Sequence, residues 1–352
     1  MPPFVLLKDP ANYVPCADGN MLVDHELRDY WLYHFEHHFT GVVMMLALET
    51  YGEARRKNIE AARDELIAAV QRLKAKPDCM NGRLDLLILD EIRQDALIRH
   101  GVPDPFEKLK EKENAAMLPQ YRHVIDELDS HTSEAEALLL AVEGVFAGNI
   151  YDLGAGATAK LFANSSPDFI EVRDQIARPW LVDHFDAFAA RMLQGPPHKK
   201  AIFFLDNAGS DCLLGVIPFA RLLAKRGTTV AIAANTLPAL NDVTITELPG
   251  ILEALSAQDP VLADLLSTRK IRVVDSGSGT PLIDLRQTTA ALNAEAQDAD
   301  LVLLEGMGRA QASNYQAKFK VDSVKMFMIK EQIAADRLGG KLFDTVLKFE
   351  PR

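Results

Sequence analysis

Near residue 195 the hydrophobic periodicity of the chain changes, and that change limits what the chain can fold into. Upstream, "RRKNIEAARDELIAAVQRLKAK" (55–76) spaces Ile59, Ala62, Leu66, Val70 and Leu73 three or four apart, the stripe of an amphipathic helix. "LDLLILDEIRQDALIRHG" (84–101) repeats the pattern and stops at Gly101, a residue suited to the position just past a helix. "SEAEALLLAVEGVFAGN" (133–149) opens with Ser133 and Glu136, a capping-box pair. After "GPPHKK" (195–200), short β-rich runs take over: "KAIFFLD" (200–206), "TTVAIAAN" (228–235), "KIRVVDSG" (270–277), "DADLVLLEG" (298–306) and "KMFMIK" (325–330). Such near-continuous apolar strands, alternating with helical segments such as "CLLGVIPFARLLAKRG" (212–227), predict a parallel sheet covered on both faces. "EQIAADRLGG" then reads as a helix closed by Gly339 and Gly340, and "KLFDTVLKFE" as one last strand. The expected fold is α/β: a helical N-terminal part, residues 1–195, packed on a mostly parallel, doubly wound α/β core, residues 196–352.

Charge and composition narrow the partners. A net charge of −12 with no long basic run argues against nucleic acid and anionic membranes as ligands. An anionic substrate then requires a local cation, either a metal or a focused lysine or arginine. Three widely spaced cysteines, Cys16, Cys79 and Cys212, without a CxxC pattern read as reduced thiols of a cytoplasmic protein. "MPPFVLLKDP" has no basic leader. "GVVMMLAL" (41–48) is far shorter than the roughly 20 residues of a membrane span. A soluble protein is expected, with its oligomeric state open.

In open α/β sheets ligands bind beyond the carboxyl ends of the strands. Those ends carry Asp206–Asn207, Asn235, Ser276–Gly277, Glu305 and Lys330. Each has a purely structural alternative. Asp206 is placed to cap the following helix, Asn207 to occupy a tight turn, and Asp242, in "LPALNDVTITE", to cap a helix near Thr244. Taken together, two carboxylates and a carboxamide oxygen form a hard donor set suited to Mg²⁺ or Mn²⁺, a composition that fits metal-assisted chemistry on phosphate. Hydrolysis of a phosphate monoester demands a barrier reduction on the order of 20 kcal/mol or more, which calls for cationic help at the phosphoryl oxygens. Lys330 and Arg309, in "EGMGRA", are the candidates, against a surface lysine and a structural salt bridge. "GNIYDLGAGATAKL" (148–161) lacks a GK[ST] ending and follows a helix, so it is not a P-loop; Asn149 and Asp152 are expected in its turn. "HFEHHF" puts His34, His37 and His38 at helical spacing, but no HExxH pattern accompanies them. They read as a partly exposed helix face rather than a metal site.

"FFLDNAGSD", "ANTLPALNDVT", "EGMGRA…SNY", "LGGKLFDTVLKFE", "VFAGNIYDLG" and "ARPWLVDHFD" together resemble the metal-dependent damage-control phosphatases (domain of unknown function 89). The likeness is to the branch with a Glu-Gly-Met-Gly-Arg run, here 305–309, that includes the phosphatase domain of pantothenate kinases. The resemblance implies a divalent metal (Mg, Mn, Co or Ni) held by Asp206, Asn207 and Asp242. It also implies phosphomonoesterase activity on a small phosphorylated metabolite, 4′-phosphopantetheine or its oxidised derivatives. Asp206, Asp242 and Lys330 are then the expected catalytic residues, and Asn149, Asp152, Asn235, Glu305, Arg309 and Asn314 the expected substrate contacts. Direct attack by Asp206 and attack by a metal-activated water both fit an in-line displacement. Two other classes share strand-end acids: a methyltransferase with a sulfonium cofactor, which needs no divalent ion, and a non-catalytic sensor of phosphometabolites.

Overall fold

The computed structural model describes residues 1–150 and 168–352. Seven strands form one sheet: β1 (Val182–Asp183), β2 (Lys200–Phe204), β3 (Thr229–Ala234), β4 (Ile271–Asp275), β5 (Leu301–Glu305), β6 (Asp322–Met328) and β7 (Thr345–Glu350), in the order β1-β7-β6-β5-β2-β3-β4. Every pairing is parallel except β6 with β7. Central strand β2 sets Ala201 opposite Val230 on one side and Leu301 on the other.

All residues of β2, β5 and β6 are buried, which explains the apolar runs at 201–204, 301–304 and 326–328: side chains alternate between two covered faces. Phe203, Val230, Ile232, Leu303 and Met326 point to one core, shared with Phe146 and Phe219. Ile202, Phe204, Ala231, Val302 and Leu304 point to the other, shared with Phe4 and Leu292. A third core joins the N-terminal helices through Leu32, Phe35, Ile59, Leu66, Val70 and Leu97.

The stripe at 55–76 becomes the Arg56–Ala75 helix, with Ile59, Ala62, Leu66, Val70 and Leu73 all buried. Asp85 caps the Leu86–Arg99 helix by accepting from the Ile88 amide at 3.1 Å, and Gly101 follows at φ +71°. Ser133 Oγ accepts from the Glu136 amide at 3.3 Å, one half of the anticipated capping box.

Contacts cross the expected boundary at 195/196. Phe4, Leu6 and Leu7 lie in the second sheet core, Leu7 bridges Phe319, β1 adds to the sheet edge beside β7, and Ile333 joins the core of the N-terminal helices. The helix Glu134–Ile150 includes Asn149, which therefore stands in a helix and not in the turn expected for it; Asp152 lies outside the described residues. Among the described residues no helix is long and apolar enough to cross a membrane, and the three cysteines are unpaired.

Candidate active site

Strands β2 to β6 run parallel to one another, so their carboxyl ends meet at one sheet edge. Asp206 and Asn207 leave β2 there, and Gly209 turns the chain at φ +68°, a region that glycine enters without steric penalty. An isolated antiparallel bridge pairs Asn207 with Asp242, and the Asp206 carbonyl accepts from the Val243 amide at 3.0 Å. The segment around Asp242 is thereby tied to the exit of β2. Neither aspartate caps a helix. The π-helical turn after β2 spans Asp211–Val216 with Ser210 at its cap position, and the helix after Asp242 begins at Leu248.

Asp206, Asn207, Asp242 and Lys330 all border one cleft, although each is buried, at 5%, 4%, 1% and 6% exposure. Arg309 lies behind them, fully buried. Its guanidinium donates to Asp206 Oδ1, to Asp242 Oδ2 at 2.9 Å and to Asn235 Oδ1 at 2.9 Å. One planar fork thus fixes the directions of both carboxylates. Asn235, expected at substrate, directs its amide to Asp242 Oδ2 at 2.8 Å and the Thr280 carbonyl at 3.1 Å. Asn314, also expected at substrate, donates to the Arg309 and Ile283 carbonyls and accepts from the Tyr13 hydroxyl. Both brace the arginine rather than face the cleft. Gly306 is required by contact as well as by its φ of +85°: a Cβ there would sit 1.9 Å from Asp206 Oδ2.

A residue that sequence reading passed over completes the site. Asp211 Oδ2 accepts from the Asn207 amide at 3.2 Å, from Asn207 Nδ2 at 3.0 Å and from Asn149 Nδ2 at 2.9 Å. Asn149 also donates to Glu305 Oε1 at 2.6 Å, while Glu305 Oε2 accepts from the Asp206 amide at 2.9 Å. Burial pushes the Asp211 carboxyl up to about 6, with Asp206 adding to the rise and Glu305 and Lys330 opposing it. Burial, then Asp211 and Asp206, hold Glu305 well above the usual carboxylate range. A negative charge on either of the two carboxyls therefore opposes ionisation of the other. The only sequence signal was the spacing in "DNAGSD", where the second acid reads equally well as the start of a helix.

The histidines form the partly exposed helix face expected of them, and part of that face borders the cleft. His34 and His38 line the cleft, beside Trp31 and Phe35; His37 alone is exposed. The pattern placed them on one helix, His25–His38, but the packing of that helix decides which face is covered.

A family model, the damage-control phosphatase ARMT1-like domain, matches residues 35–346. The chain belongs to the damage-control phosphatase family. It is 38% identical over 281 residues to a damage-control phosphatase of Arabidopsis thaliana, covering 80% of this chain and 76% of that one. It is 38% identical over 380 residues to pantothenate kinase 2 of the same plant, covering 99% of this chain and 42% of the kinase. A 4′-phosphopantetheine phosphatase of Mus musculus is 35% identical over 399 residues, covering 98% of this chain and 48% of that protein. The chain thus spans less than half the length of the last two relatives. The crystal structure of a domain-of-unknown-function-89 protein from Pyrococcus horikoshii shares the fold, with a TM-score of 0.59 and 17% identity over 92% of this chain and 97% of that chain.

Damage-control phosphatases are metal-dependent as a family, and two oxygen sets of this member invite comparison. Asp206, Asp211 and Glu305 bring carboxylate oxygens within 4.8 Å of one another. Asp211 and Glu305 are already engaged by the amides of Asn149, Asp206 and Asn207, and neither borders the cleft. Asp206, Asn207 and Asp242 do border it, and the two aspartates are close enough to share one guanidinium. Asn207 directs its nitrogen inward, to Asp206 Oδ2 and Asp211 Oδ2, which turns its oxygen the other way. Two carboxylates and a carboxamide on the cleft form a hard-oxygen set that fits a divalent cation, and Asp211 and Glu305 brace Asn149, Asn207 and the Asp206 backbone.

Proposed function

We propose that this damage-control phosphatase hydrolyses small phosphate monoesters and that its substrate is 4′-phosphopantetheine or an oxidised derivative of it. The observation that carries this reading is the meeting of Asp206, Asn207, Asp242 and Lys330 on one cleft; the name of the mouse relative supports the substrate.

Asp206 Oδ, Asp242 Oδ and the Asn207 amide oxygen would hold Mg²⁺, Mn²⁺, Co²⁺ or Ni²⁺. When bound, such a cation supplies Lewis-acid stabilisation of charge on the phosphoryl oxygens. The Lys330 ammonium neutralises part of the remaining phosphate charge, a contribution strengthened by burial. Arg309 keeps Asp206 and Asp242 aligned between turnovers. Asn235 holds Asp242 and Arg309 together, and Glu305 anchors the Asp206 backbone.

The test is turnover of phosphorylated metabolites across a panel of Mg, Mn, Co and Ni, beside an Asp206→Asn variant. Metal-dependent phosphate release, abolished in the variant, is expected. Full metal-dependent turnover by Asp206→Asn would overturn the assignment. Activity surviving chelation would point to metal-free chemistry, and tight ester binding without turnover to a sensor.

A further inference from the structure

The groups suited to phosphate occupy only one part of the cleft. The His25–His38 helix supplies a second wall through Trp31, His34, Phe35 and His38, and Leu86, Leu282 and Met307 continue its apolar character from other segments. The rings on this wall are ordered. His34 stacks on His38 with centroids 5.3 Å apart and on Tyr30 at 6.3 Å, and Trp31 meets His34 edge-on at 5.2 Å. The Tyr30 hydroxyl donates to Glu331, the residue after Lys330, so the wall is tied to the phosphate end.

Resting on the phosphatase reading above, we propose that this wall is a subsite for the organic arm of the substrate. It selects phosphate esters with a linear, uncharged arm of methylenes and amides over compact, hydroxyl-rich sugar phosphates. Trp31 and Phe35 offer apolar faces for methylene groups. His34 offers one donor and one acceptor, the complement of an amide; burial holds its imidazole below the usual value, with Glu331 opposing and Arg93 adding to the shift. Arg93, which also borders the cleft, is paired with Asp90 and lies over the Phe35 ring at 5.1 Å. Its charge is thereby compensated, so the wall does not match a second phosphate. A sugar rich in hydroxyls would lose hydration against Trp31, Phe35, Leu86 and Leu282 with few hydrogen bonds in return.

Calorimetric titration with pantetheine, which carries the arm but no phosphate, tests the subsite without turnover. The wild type is expected to bind it saturably, and Trp31→Ala and His34→Ala to bind it at least tenfold and threefold more weakly, respectively. Both variants should raise KM for 4′-phosphopantetheine by similar factors and leave KM for glycerol 3-phosphate within twofold. Melting temperatures identify any variant that has lost its fold, and His34→Gln, which retains hydrogen-bonding capacity, should recover most of the binding. No pantetheine binding by the wild type, or equal binding by both variants, would overturn the subsite. Asp206→Asn separates the two claims: loss of turnover with pantetheine binding intact supports both, whereas intact turnover sinks the metal assignment and leaves the binding result to stand alone.

Discussion

Arg309 is a counter-ion built into the site. Two carboxylates at 5% and 1% exposure would repel one another and lose hydration, and the guanidinium between them offsets both effects. Replacing it leaves uncompensated buried charge, typically a loss of about 3–5 kcal/mol. For Arg309→Met we expect a lowered melting temperature without metal. Added Mg²⁺ or Mn²⁺ should raise that temperature more in the variant than in the wild type, because a divalent ion then replaces the missing charge. Equal metal-induced shifts in the two proteins would refute this role. Asp211 acts one step further back, on Asn207. In Asp211→Ala the three N–H groups it accepts from lose that partner, at a cost of roughly 1–3 kcal/mol for each group left unsatisfied. Metal affinity measured by titration should fall about tenfold, while Asp211→Asn, which keeps one acceptor oxygen, should fall less.

At the scale of elements, the Glu134–Ile150 helix lies directly on the π-helical turn after β2. A Cβ at Gly148 would sit 2.7 Å from the Asp211 Cα and 3.0 Å from the Ser210 carbonyl. Because both obstacles are backbone, Gly148→Ala must separate the two elements, at a cost of roughly 1–3 kcal/mol. It should also reduce turnover by withdrawing Asn149 from Asp211 and Glu305, as a kcat measurement alongside thermal melting would show. These contacts also explain what was legible in the sequence. Strands β2 to β6 were readable because burial on both faces of the sheet favours apolar runs, even in β4 at the sheet edge, and their exits were readable because an apolar run that stops at Asp, Asn, Glu or Lys marks the carboxyl edge. β1, only two residues long, carries no periodicity. The antiparallel direction of β7 follows from how the chain returns after the Gln332–Leu338 helix, which no local pattern encodes. Asn149, Asp211 and the cleft-facing histidines depend on helix docking: Asn149 lies 62 residues from Asp211 and 156 from Glu305 in the chain, separations that no local motif spans.

At the scale of the whole molecule, acid stability depends on charge pairs far from the cleft. Burial pushes the Glu350 carboxyl up, but the ammonium groups of Lys318 and Lys325 outweigh it and hold it at about 2, against an ordinary 4.5. A depressed carboxyl stabilises the fold above its unfolded value and loses that contribution as pH falls from about 4.5 towards 2. The melting temperature of the wild type should therefore drop more steeply over this interval than that of Glu350→Gln; parallel curves would show that the pair contributes nothing. Glu350 also belongs to β7, which is last in sequence yet sits between β6 and β1. During synthesis, both of those strands must wait with open edges until Thr345–Glu350 has left the ribosome. Nascent chains paused before that point would display two unpaired borders, open to pairing with other chains.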